Sequence, residues 1–384
     1  MKDISFQIDP VTPRVVARLE RGEIVLPALW LRERCQDPEH VDQTTRQRLF
    51  DPHRLPEDLA LTAAERLESG RVRLGFSDGY RGEYDLESLA EEFRARDGLP
   101  APRPWGASLD RAEVTLDWRA LSEDAALHQA LGAFLRRGFL ILQHVPTDPA
   151  RILEVADRFG HVRDTNFGKV FEVYSRPGSN DLAYATVALG PHTDNPYRRP
   201  APGIQLLHCL VNETRGGLST LTDSLAVGRV LAREDPDAFE RLATTPVRFR
   251  FVDPDEELIE HRCIIRRDAA GEMVGVHYSP RLDGLPLLDD TGVRAFHRAR
   301  RRLAELLADP RFELRFPLRQ GELVMFDNSR VLHGRTAFDA TEGRRHLQGC
   351  YIDLDEPRSR YRTLSRRLRA AYGETCWTPL PSGR

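Results

Sequence analysis

Two short stretches, about 140 residues apart, constrain this chain more than anything else in it. The first reads Gly190-Pro191-His192-Thr193-Asp194-Asn195-Pro196-Tyr197. Side chains one residue apart share a side when the backbone is extended, so His192 and Asp194 can face one point. Gly190, Pro191 and Pro196 disfavour a helix and suggest the mouth of a sheet. The second stretch runs from Gly321 to Arg335 and contains Phe326-Asp327-Asn328 and His333-Gly334-Arg335. A strand, an Asp-Asn turn and a second strand would deliver His333 to the end of that second strand. Arg344 and Arg345 then head another strand-like run.

A His-x-Asp pair alone is an ordinary polar turn. With a distant His and a following Arg it becomes a pattern with chemistry. Two imidazoles and one carboxylate make a facial triad for non-haem Fe(II), leaving three positions open. His192, Asp194 and His333 are therefore the candidate metal ligands. A guanidinium matches a carboxylate as a two-pronged fork, so Arg344 or Arg345 could hold an organic acid. In a regular strand Arg344 would point the other way.

A chain of 384 residues suits two domains. Hydrophobic residues at 40% and charged residues at 30% fit a soluble globular protein. The net charge of −3 implies no polyanion partner. The Arg-rich stretch 358–369 reads as a solvated helix face, so no nucleic acid is expected. No apolar run approaches the ~20 residues of a membrane span. Met1 to Phe6 has no signal-peptide core. Cysteines at 35, 209, 263, 350 and 376 are too scattered and too odd in number for a disulfide framework. A reducing cytoplasm is expected, with a homodimer as the assembly.

Residues 1–105 read as a small β-rich domain. Val15–Leu19, Glu23–Leu26 and Val72–Phe76 are strand-like, Ser77-Asp78-Gly79-Tyr80 is a hairpin turn, and 86–96 a short helix. The proline-rich run 98–105 is the linker. Residues 106–384 form the second domain, with helices over 122–137, 150–159, 224–233, 236–243 and 292–308 and strands at 138–142 and 203–211. Many strands, few flanking helices and ligands on distant strands predict a mainly β fold, a cupin-like jelly roll or double-stranded β-helix.

The chain resembles the Fe(II)/2-oxoglutarate-dependent dioxygenases, in particular the γ-butyrobetaine hydroxylase branch of the taurine-dioxygenase-like enzymes. The matching residues are His192-Thr193-Asp194, Pro202 to Cys209, Gly216-Gly217, Phe326-Asp327-Asn328, His333-Gly334-Arg335, Arg345-His346-Leu347 and, near the start, Trp30 to Cys35. The resemblance implies Fe(II), 2-oxoglutarate as co-substrate and O2. It places Arg345 on the distal carboxylate of 2-oxoglutarate, with Ser219 beside it and Leu207 lining its pocket. The family's structural zinc site would fall on Cys35, Asp37 and His40, with Tyr80 at the last position. Too few thiolates remain, so no zinc is expected.

The resemblance also implies an aromatic cage for a trimethylammonium group, attracted by ring faces. Tyr184 falls on one cage position, Phe167 and Phe171 near others, and Tyr197 could add a ring. Where the family binds a substrate carboxylate, this chain carries Asp181 and His277-Tyr278. Asn195, Tyr197, Tyr278 and Arg281 could meet a different anion. The expected substrate is a small trimethylammonium compound, with 2-trimethylaminoethylphosphonate favoured. The alternatives are γ-butyrobetaine hydroxylation, dioxygenation of a sulfonate or other small anion, and a metal-binding sensor or scaffold without turnover.

Overall fold

The computed structural model of the protein describes residues 4–20, 22–93, 95–165, 167–174, 187–339, 341 and 343–372. They form two compact units, Met1–Gly98 and Leu99–Arg384.

In the first unit, β1 (Ser5–Asp9), β2 (Arg14–Leu19) and β3 (Gly22–Val25) make one antiparallel meander. After the short helix α1 (Ala28–Arg32), β4 (Leu61–Arg66), β5 (Val72–Phe76) and β6 (Arg81–Tyr84) make another. The period-two pattern buries Val15 and Ala17 of β2 and Val72 and Leu74 of β5 around Leu31. Gly79, at φ +88°, closes the β5–β6 hairpin where the turn signal lies. The helix expected over 86–96 is broken. α2 covers only Leu86–Ala90, and Arg96 and Asp97 adopt left-handed backbone, which an α-helix cannot continue through. At the positions considered for zinc, Cys35 is buried and His40 packs edge-on to Tyr80, at 4.7 Å between ring centres. The Arg32 guanidinium lies over the Tyr80 ring, 3.9 Å from its centre.

The second unit starts ahead of the 105/106 boundary read from the prolines. Trp105 is buried against Phe139, and its ring N–H donates to the Arg137 carbonyl at 2.6 Å. In chain order the strands are β7 (Thr115–Asp117), β8 (Phe139–Gln143), β9 (Val162–Arg163), β10 (Phe171–Tyr174), β11 (Leu189–His192), β12 (Ile204–Asn212), β13 (Ser219–Asp223), β14 (Val247–Val252), β15 (Glu257–Arg262), β16 (Ile265–Arg267), β17 (Met273–Val276), β18 (Asp283–Gly284), β19 (Glu313–Phe316), β20 (Leu323–Asp327), β21 (Val331–Arg335) and β22 (Arg345–Ile352). The helices are α3 (Asp124–Arg137), α4 (Arg151–Asp157), α5 (Ser224–Glu234), α6 (Pro236–Thr244), α7 (Asp290–Leu307) and α8 (Asp355–Tyr372). α3 starts two residues later than the pattern suggests, because 118–122 tighten into a 3-10 turn first.

Strand order gives the architecture. One sheet runs β10-β22-β12-β20-β8-β7, with β9 also on β22, and the other runs β11-β21-β13-β19. Strands far apart in sequence are neighbours, as a jelly roll requires. Phe139, Ile141, Val324 and Phe326 of the first sheet meet Leu221, Leu314, Phe316 and Val331 of the second in a continuous apolar layer. Helices α3, α4 and α8 cover the outer face of the first sheet. Helices α5 to α7 build a side lobe with β14, β16 and β17. Asp223 joins lobe to barrel. It caps α5 by accepting the Leu225 N–H and takes the Arg330 guanidinium through two bonds, both side chains being buried. This leaves one mouth of the roll open, and the two motif stretches meet there.

Candidate active site

β11 and β21 run antiparallel, and His192 is the direct partner of His333 across that ladder. Their ring centres are 4.2 Å apart. His333 sits in the middle of β21 rather than at its end. β21 is paired on both sides, with Leu221 of β13 opposite His333, and this double pairing carries the strand on to Arg335. Asp194 lies just beyond the end of β11. Its N–H donates to Oδ1 of Asn328 at 2.7 Å, and its carbonyl accepts Nδ2 of Asn328 at 3.0 Å. Asn328 also donates to the Pro202 carbonyl and is buried, so the turn between β20 and β21 fixes the Asp194 backbone.

Asp194 Oδ1 stands 3.4 Å from His192 Nε2 and 3.6 Å from His333 Nε2. Its other oxygen, Oδ2, accepts the Tyr351 hydroxyl at 2.7 Å. His192 Nδ1 donates to the Gly190 carbonyl at 3.0 Å, which leaves the Nε2 lone pair for a ligand. Among the described residues, these three are the group whose ligand atoms converge, all within 4.8 Å. Burial, reinforced by the His192 imidazole, pushes His333 down to about 3, so it presents a neutral ring. Burial would raise the Asp194 carboxyl, but His333, His192 and the Tyr351 hydroxyl outweigh it and hold the group well below the usual carboxylate range. Neutral imidazoles and an ionised carboxylate are the protonation states that bind a divalent metal. The donor set fits Fe(II).

A cavity of about 420 Å³ opens over this triad. Arg345 lines it from the first position of β22 and is buried, while Arg344 is exposed and pairs with Glu213 at 3.1 Å. Burial, then the like charge of Arg335, push Arg345 down to about 10. Its Nε has no hydrogen-bond partner. A buried guanidinium in this condition calls for an anion. Gly217 lets it lie there. A Cβ on Gly217, at φ +66°, would stand 3.0 Å from Arg345 Nε. Ser219 and Leu207 line the same cavity.

Of the expected substrate residues, Phe167, Phe171, Asn195, Tyr197 and Arg281 also line the cavity. Tyr278 does not. Its ring is buried in the side lobe, and its backbone carbonyl accepts the Thr193 N–H at 2.7 Å. It serves the site through that carbonyl, which any residue could supply. Asp181 and Tyr184 lie outside the described residues. The structure adds rings that were not foreseen. Tyr351 lies tilted against Phe171, with ring centres 5.2 Å apart, and Phe251 stacks on Tyr197, at 5.0 Å. Counting by twos along β22 from Arg345 gives Leu347, Gly349 and Tyr351, so Tyr351 was within reach of the strand pattern. Phe251 comes from β14, in a different sheet, and no local signal leads to it.

A jelly roll that carries a His-Asp-His triad at its mouth, with a buried arginine in the same cavity, defines an Fe(II)- and 2-oxoglutarate-dependent dioxygenase. Comparison with known proteins agrees. Residues 97–351 match the family "Taurine catabolism dioxygenase TauD, TfdA family", and residues 18–90 match "Gamma-butyrobetaine hydroxylase-like, N-terminal". The chain belongs to the TauD/TfdA dioxygenase family. It is 35% identical to a γ-butyrobetaine dioxygenase of Pseudomonas sp. (strain AK-1), over 88% of this chain and 90% of that protein. It is 31% identical to dioxygenase str8 of Strobilurus tenacellus, over 88% and 85%. It is 26% identical to a trimethyllysine dioxygenase of Meyerozyma guilliermondii, over 88% and 90%. Among the described residues, no helix is long and apolar enough to cross a membrane.

Proposed function

We propose that this enzyme hydroxylates a small trimethylammonium acid of the γ-butyrobetaine kind. The observation that carries the reading is the set of rings beside the triad. Tyr351 both lines the cavity and bonds Asp194, and Phe171 lies against it. A quaternary ammonium group cannot donate a hydrogen bond, so ring faces and shape must select it. The phosphonate preference read from the sequence gives way here. Two of the three relatives named above act, by their names, on γ-butyrobetaine and trimethyllysine, both of which carry a carboxylate.

His192, Asp194 and His333 would hold the ferrous ion, and Arg345 the distal carboxylate of 2-oxoglutarate, with Ser219 and Leu207 beside it. Bound there with O2, iron and 2-oxoglutarate supply the oxidising power for an unactivated C–H bond, giving succinate and CO2. The protein's own part is aim and dryness. Asn328 and Tyr351 set the carboxylate, and the apolar walls exclude water. The described cysteines are free thiols, which supports reducing, cytoplasmic surroundings.

The test is succinate formation with γ-butyrobetaine, 2-trimethylaminoethylphosphonate and γ-aminobutyrate at equal concentration. Faster turnover of γ-butyrobetaine than of the other two is expected. A preference for γ-aminobutyrate would reject the trimethylammonium reading, and a preference for the phosphonate would restore the other anion.

A further inference from the structure

The core of the first unit holds a cation of its own. Arg32, in the last turn of α1, is 5% exposed. Its Nε donates to Oδ2 of Asp78 at 2.9 Å, and the other oxygen of that carboxylate accepts the Tyr80 N–H at 3.0 Å. The guanidinium carbon lies 3.9 Å from the centre of the Tyr80 ring and 4.8 Å from that of Phe50. Nη1 is buried and has no hydrogen-bond partner among the described residues. Ring faces therefore meet the part of the charge that no acceptor meets. His40 closes the group in T-shaped contact with both rings, 4.7 Å from Tyr80 and 5.6 Å from Phe50. A buried charge is costly unless it is paired in this way.

The partners come from three separate segments. Arg32 belongs to α1, His40 and Phe50 to the connection between α1 and β4, and Asp78 and Tyr80 to the β5–β6 turn. A structural metal joins segments in the same way, through ligand atoms that meet at one point. The residues present here do not offer that point. Among the described residues, Cys35, Asp37 and His40 do not converge as His192, Asp194 and His333 do. Oδ1 of Asp37 is taken by the Glu39 N–H at 2.9 Å, which builds a local turn. Tyr80 offers the cation its ring, while its hydroxyl lies over Gly82, where a Cβ would stand 2.1 Å from that oxygen.

We propose that the Arg32 guanidinium is the built-in cation that cross-links the first unit in place of a metal ion, so that this unit folds and holds together without zinc. Shape matters here as well as charge. A planar guanidinium can lie over rings while donating in its own plane to a carboxylate. A compact, strongly hydrated ammonium group does this less well. The turn that carries Asp78 and Tyr80 thus supplies both the counter-charge and a ring, from residues two apart.

The experiment is metal analysis and hydrogen–deuterium exchange on the full chain carrying His192→Ala and His333→Ala, so that metal at the triad is not counted. Protein made in zinc-supplemented medium and then dialysed should carry well under one zinc per chain, where a structural site would carry one. Dipicolinate, a zinc chelator, should leave amide protection over 28–50 and 72–84 unchanged, since a metal-dependent unit unfolds when its metal is removed. Arg32→Met, added to this parent, should speed exchange over both stretches about tenfold or more, and Arg32→Lys, which keeps a charge, should speed it less. Zinc near one per chain, or protection lost to the chelator, overturns the inference. So does an Arg32→Met chain that exchanges as slowly as its parent, or more slowly than Arg32→Lys, because the charge would then hold nothing. If Arg32→Met yields no soluble protein, Asp78→Asn decides, since it keeps the cation and removes its carboxylate. A several-fold rise in exchange over 72–84 then supports the inference, and exchange at the parent's rate overturns it.

Discussion

The Tyr351 hydroxyl donates to Oδ2 of Asp194 at 2.7 Å, and Oδ1 alone faces the two imidazoles. A carboxylate free to rotate would offer either oxygen or both. This bond selects one and ties the metal ligand to a ring in the substrate cavity. Tyr351→Phe keeps the ring and loses the bond, so the fold should survive. We expect Fe(II) affinity to fall about tenfold, in the range for removing a partner that orients a metal ligand. Metal titration of the apoenzyme measures it, and unchanged affinity would show that Asp194 needs no such partner.

Arg345 and Arg344 are neighbours with opposite surroundings, one buried in the cavity and one exposed on Glu213. Arg345→Met should raise the KM for 2-oxoglutarate by about tenfold to a hundredfold, the loss of a charge-assisted pair. Arg344→Ala should leave it within about twofold, as an exposed pair contributes little. Steady-state kinetics in 2-oxoglutarate decide this. The reverse pattern would mean that the clamp is misassigned.

Gly349 faces Phe171 across the β10–β22 ladder. A Cβ there would come 2.2 Å from the Phe171 ring, so the ring must move. Gly349→Ala should raise the KM for the trimethylammonium substrate several-fold while sparing 2-oxoglutarate, since large overpacking costs about 1–3 kcal/mol. Equal effects on both would point to a general loss of structure.

Two buried imidazoles predict acid sensitivity. Burial pushes His128 and His208 each down to about 4. The unfolded chain, with ordinary histidines near 6.5, then binds more protons than the native state between pH 6.5 and 4. The stability these neutral rings allow is fully present above about pH 6.5 and is lost as the pH falls towards 4. The slope is about 1.4 kcal/mol per pH unit for each ring. Urea unfolding across this range should show it, and His208→Leu should flatten part of the fall. A flat profile between pH 6.5 and 4 would contradict the burial argument.

Much of this site was legible in the sequence because its parts obey strand periodicity. The motifs led to His192, Asp194 and His333, which converge, although Asp194 lies beyond the end of β11, and alternation separated the inward Arg345 from the exposed Arg344. What was not legible depends on long-range pairing. The position of His333 inside β21 follows from having strands on both sides, and Phe251 arrives from another sheet altogether. Tyr278 looked like a donor by its place after His277, but the core of the side lobe claims its ring. The linker read from prolines was partly packed structure, because Trp105 finds a pocket against Phe139. Composition reports stiffness there, while burial depends on what the rest of the chain leaves open.

The most direct measurement is succinate released with and without γ-butyrobetaine, by wild type and by His333→Ala, each checked for folding by circular dichroism. Wild type should release succinate several-fold faster with γ-butyrobetaine than without it, and folded His333→Ala should release almost none. Substrate-dependent succinate from folded His333→Ala at near wild-type rate would contradict the account.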